Sequence, residues 1–86
     1  MLKISESKPV RKTITLRLEG RIVGPWVEEL KQVCEPLVRN GCHLALDLAE
    51  VVFVDEKGVA ALSGLSARGT QLVNATPFVV EQLKAS

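Results

Sequence analysis

Hydrophobic residues fall along this chain in short runs, and each change in their spacing marks a new element. Leu2 to Ser5 is a short candidate strand, followed by the turn-forming Glu6-Ser7-Lys8-Pro9. From Val10 the alternation is regular, with Ile14, Leu16 and Leu18 pointing one way and Thr13, Thr15, Arg17 and Glu19 the other. A period of two belongs to a strand with one buried face, and Gly20 is expected to end it. Gly24-Pro25-Trp26 then opens a helix, with Pro25 at the first position, where its missing N–H does no harm. Trp26, Leu30, Val33, Cys34 and Leu37 recur at helical spacing. Pro36 should kink or loosen the end of that helix, and Asn40-Gly41 is a favoured stop.

The second half repeats the alternation of strand and helix. Cys42 to Leu48 carries Leu44, Leu46 and Leu48 on one face, and Val51 to Val54 reads as a further strand, apolar and rich in β-branching, with Val51 and Phe53 expected in the core beside Leu46 and Leu48. Asp55 is placed to cap a new helix. Val59, Leu62, Ser63 and Ser66 should line one side of it, with Ala60, Ala61 and Leu65 widening the stripe and Gly69 ending it. Thr70 to Asn74 is a last short strand. Thr76-Pro77 starts a final helix whose apolar face is Phe78, Val79, Val80 and Leu83. The order β-β-α-β-β-α-β-α predicts the α/β class, a small mixed sheet packed with helices in a single domain over residues 1–86.

Composition narrows what such a domain does. At 86 residues the chain holds one core, and with 47% hydrophobic residues that core is well supplied. The formal charge of +1 gives no strong electrostatic footprint, so nucleic acid is not an expected partner. No apolar run approaches a membrane span, so direct membrane insertion is not expected. Met1 to Lys12 holds no apolar stretch of signal-peptide type; a cytoplasmic location is the expectation, with Cys34 and Cys42 both reduced. These two cysteines with His43 fit no zinc spacing, and both are expected to be small apolar core residues. A His43–Asp47 pair along one strand would span roughly 13 Å. A nucleophile with its base and orienter is missing, and so is a glycine-rich phosphate loop. The expectation is no enzyme, with no catalytic residue, no metal and no cofactor.

One segment asks for a reason. In Val54-Asp55-Glu56-Lys57-Gly58, Gly58 sits in the first turn of a helix, where glycine costs about 1 kcal/mol against alanine. Either the backbone there is unusual or something approaches it closely. A plain capped helix start, with acids at the favourable end of the dipole, is the simpler alternative.

Leu46-Asp47-Leu48, then Val51, Phe53 and Val54-Asp55, then Gly58, resembles the central motif of STAS domains. These are the domains of anti-sigma-factor antagonists and of sulfate-transporter tails. Leu18-Glu19-Gly20-Arg21-Ile22-Val23 resembles the family's second strand and its exit, and the likeness runs from about Thr13 to Leu83. The family's usual form at the motif is Asp-Ser-Ser-Gly, whose second Ser accepts a phosphate from a partner kinase. Here Lys57 holds that position and Glu56 the one before it, so the resemblance implies a binding surface without its phosphorylation site. It implies partner contacts at Asp55, Glu56, Lys57 and Gly58, with a fixed charge pattern in place of the switch. Substituting Gly58 by Leu is expected to crowd a partner with only modest loss of stability. The implied function is a non-catalytic protein-binding regulator, its partner an anti-sigma factor or kinase. A small STAS subunit of an ABC-type membrane transport assembly, contacting a transporter subunit, is the alternative. A small-molecule or nucleotide sensor is a further one, disfavoured by the two acids at a helix start that would otherwise welcome an anion.

Overall fold

A computed structural model describes residues 2–7 and 11–84. Four strands form one sheet in the order β1 (Leu2–Glu6), β2 (Thr13–Ile22), β3 (His43–Val54) and β4 (Gln71–Val73). β1 runs antiparallel to β2, while β2–β3 and β3–β4 are parallel, which makes the sheet mixed as expected. The parallel pairs are joined through α1 (Pro25–Arg39) and α2 (Glu56–Ala67), and α3 (Pro77–Lys84) follows β4. Of the expected turn after β1, Lys8 and Pro9 lie outside the described residues, as does Val10.

The alternation in β2 behaves as its period requires: Ile14, Leu16 and Leu18 are buried, and Arg17 is exposed. The strand does not stop at Gly20, however, but runs on to Ile22. The larger correction concerns β3. The two strands expected at Cys42–Leu48 and Val51–Val54 are one strand of 12 residues. Arg17 faces Asp47 but Glu19 faces Glu50, so Leu48 and Ala49 stand opposite Leu18 alone. A second extra residue, Val52, falls between Val51 opposite Gly20 and Phe53 opposite Arg21. Each bulge shifts the phase of the side chains, so the set that joins the core cluster reads Leu44, Leu46, Leu48, Val51, Val54, with Ala45 buried as well. Asp47 steadies the first bulge, its Oδ1 accepting from the Ala49 N–H at 3.0 Å. Phe53, expected in the core beside Leu46, is instead 39% exposed.

The helices bury one face of this sheet in a single cluster that runs from Leu2 to Val79. In α1 the buried residues are Val27, Leu30 and Cys34, with Trp26 only half-buried, and the helix is continuous through Pro36. In α2 they are Gly58, Val59, Ala61, Leu62 and Leu65, while Ser63 and Ser66, expected on the inner side, are exposed. α3 buries Val79 and leaves Phe78 57% exposed, another departure from the expected apolar face. Its Thr76 cap is in place, the hydroxyl accepting from the Val79 N–H at 3.3 Å. Cys34 is buried and Cys42 half-buried, and both are free thiols.

Candidate functional site

The segment singled out by its glycine lies where β3 ends and α2 begins. Asp55 has an ordinary extended backbone (φ −84°, ψ −179°), and Glu56, Lys57 and Gly58 lie within the helix with no positive φ, so no unusual conformation explains the glycine. The close approach is real, and it comes from the chain itself. A Cβ built on Gly58 would stand 2.6 Å from the Ile22 carbonyl oxygen and 2.6 Å from Val54 Cγ1. Only glycine lets the first turn of α2 sit this tightly against the exit of β2. Gly58 is therefore buried, and the expectation that Leu would fit there with little loss of stability is corrected. A larger side chain would drive α2 off the sheet before it reached a partner.

Asp55 does more than cap α2. Its Oδ1 accepts from the Gly58 N–H at 2.7 Å, the usual bond from an N-cap to the third helical residue. Its Oδ2 accepts from the Gly24 N–H at 2.8 Å, just past the end of the neighbouring β2. Gly24 precedes α1 with φ +52°, a left-handed value that favours glycine, and no side chain caps that helix. One carboxylate thus ties together the starts of α1 and α2. The two N–H donors, Gly24 first and Gly58 second, hold its pKa below the ordinary value, with a smaller effect from Lys57. The backbone adds a third tie, the Asp55 N–H donating to the Ile22 carbonyl at 3.1 Å.

On the far side of β3 the short β4 pairs only with Ala45, Leu46 and Asp47, which leaves the end of β3 without a neighbouring strand there. Gln82 of α3 takes that place. Its Oε1 accepts from the Val54 N–H at 3.1 Å and its Nε2 donates to the Val54 carbonyl at 2.7 Å, as a peptide group would. Beside it the Phe53 and Phe78 rings stand 6.5 Å apart between centroids. An open groove of about 660 Å³ lies among the end of β3, the first turns of α2 and Gln82. Val54, Val59 and Ala60 form part of its wall and Glu56 part of its rim.

The sequence-derived site residues thus divide. Asp55 and Gly58 are structural, one a double cap and the other a contact point. Glu56 and Lys57 are exposed on the first turn of α2. Sequence reasoning missed Gly24 as a partner of Asp55 and Gln82 as the cover of β3; neither pairing leaves a local pattern. Elsewhere, Asp47 is engaged at the bulge and His43 is exposed at the start of β3. Among the described residues no three His, Cys, Asp or Glu side chains gather into a metal site.

This architecture is that of a small mixed α/β domain of STAS-like fold, the fold implied by the residues around Asp55. A solved counterpart is the anti-sigma factor antagonist SpoIIAA in its unphosphorylated form. The likeness covers 98% of this chain and 84% of that one, with a TM-score of 0.78 and 18% sequence identity. At that identity the likeness establishes the fold. No family model matches the chain, and no curated protein is significantly similar to it in sequence.

Proposed function

We propose that the chain is a non-catalytic regulatory domain of the anti-sigma-factor antagonist kind, a single domain over residues 1–86 that acts by binding another protein. The contact surface is the β3–α2 junction, with Glu56 and Lys57 as its charged contacts and Asp55 and Gly58 as its frame. The observation that carries this reading is the contrast within four consecutive residues. Asp55 and Gly58 are locked to Gly24 and Ile22, while Glu56 and Lys57 between them stand exposed beside an apolar groove. A fixed frame that presents charge next to apolar surface suits a partner's face, because little conformational freedom is lost on binding. Neither Glu56 nor Lys57 has a hydroxyl, so binding here depends on fixed charge. A transport-assembly subunit would use the same surface, with a transporter subunit as the partner.

The test is a partner captured on the tagged chain from native lysate, then titrated calorimetrically against the parent and Lys57→Glu. The variant should bind more weakly by about 1–3 kcal/mol, through a like-charge or unpaired contact. Its melting temperature should match the parent's, since an exposed charge contributes little to stability. Equal affinity for both chains would place the contact surface elsewhere.

A further inference from the structure

The groove beside Glu56 carries more information than its position. Three of its lining residues are polar: Asp55, Glu56 and Gln82. Both Asp55 oxygens are engaged by the N–H groups of Gly24 and Gly58. Gln82 is engaged at both ends by the Val54 backbone. Glu56 alone of the three has no hydrogen-bond or ion-pair partner among the described residues. The remaining walls, Phe53, Val54, Val59 and Ala60, are apolar. Since Gln82 already occupies the Val54 N–H and carbonyl, an incoming segment does not add to β3 as a strand at that point. It docks through side chains.

Resting on the protein-binding reading above, we infer that this groove takes a partner segment presenting an apolar side chain with a Lys or Arg beside it, the cation set against Glu56. Charge complementarity selects this occupant. A groove of about 660 Å³ has room for an apolar face of a short segment, and its one unengaged charge is negative. A segment with an acid in the same place would set two carboxylates against each other at the rim.

The inference is tested on the isolated chain with three probes that share a phenyl ring: phenethylammonium, the neutral phenethyl alcohol and the anion hydrocinnamate. Each is titrated into the 15N-labelled protein while amide shifts are followed. Shifts centred on Phe53, Glu56, Val59 and Ala60 are expected, with the ammonium binding about two- to fivefold more tightly than the carboxylate, the range of an exposed ion pair. In Glu56→Gln the preference should fall towards unity, while the neutral probe binds as before and the melting temperature holds. Any of three results overturns the inference: equal or tighter binding of the carboxylate, shifts centred elsewhere, or a preference that survives Glu56→Gln. Concentration-dependent shifts of the same amides without a probe would assign the groove to a second copy and overturn it as well. Because no partner is present, such a failure leaves the Lys57→Glu titration to judge the broader reading by itself.

Discussion

At the scale of single residues, Asp55 and Gly58 concentrate what holds the junction together. Asp55→Ala removes a cap and the tie to Gly24, and should cost about 1–2 kcal/mol in chemical denaturation at neutral pH. Asp55→Asn keeps one acceptor oxygen and should cost less. The carboxyl's pKa is lower in the folded chain than its ordinary 3.8. Its stabilisation is therefore complete above that ordinary value and is lost as pH falls through the lower folded value. The gap between parent and Asp55→Asn should be widest near neutrality and close at acid pH; a gap that does not change with pH would show that the charge is irrelevant. Gly58→Ala sets two effects against each other. Alanine gains about 1 kcal/mol of helix propensity, but its Cβ meets the Ile22 carbonyl at 2.6 Å. Overpacking against backbone costs typically 1–3 kcal/mol, so the variant should be less stable than the parent. The sequence marked Gly58 as odd and Asp55 as a cap, but the Ile22 and Gly24 contacts depend on β2 and β3 lying side by side. No local pattern encodes that.

Among the elements, strand β3 shows where periodicity stops being legible. Leu44, Leu46 and Leu48 kept strict alternation and were readable as a buried face. The break at Ala49-Glu50 looked like the gap between two strands because a bulge and a turn both interrupt a period of two. Phe53 and Phe78 depart from the pattern for a related reason: apolar character alone does not say which side of a bulge, or which face of a short helix, meets the core. The buried half of the strand still sets a firm expectation. Leu46 is fully buried, so Leu46→Asp would place an unpaired carboxylate in the core at a cost of several kcal/mol. Loss of cooperative unfolding in that variant is the expected outcome, and a melt near the parent's would contradict the central position of β3. Gln82→Ala tests the opposite edge. It strips two hydrogen bonds from Val54 and should cost about 1–3 kcal/mol, with faster amide exchange at Val54.

For the molecule as a whole, one core joins all three helices to one sheet face, and the thiols report its integrity. Burial pushes the Cys34 thiol up to about 11, with Glu35 adding to the shift. Alkylation of the native chain near neutral pH should therefore modify Cys42 and spare Cys34, and denaturant should open both; intact mass distinguishes the two states. Apart from the division of β3 into two strands, the succession of strands and helices and most of the core are legible in the chain because local pattern determines them. The platform at the β3–α2 junction is not, since it depends on Ile22 and Gly24 at the exit of β2 and on Gln82 of α3 arriving from elsewhere in the chain. That platform is also the central functional claim. Amide hydrogen exchange of the chain, alone and with its captured protein partner, tests it most directly. The account predicts new protection concentrated from Phe53 to Ala60 and on α3 near Gln82. Protection confined to the outer face of the sheet, around Arg17 and His43, with the junction unchanged, would contradict it.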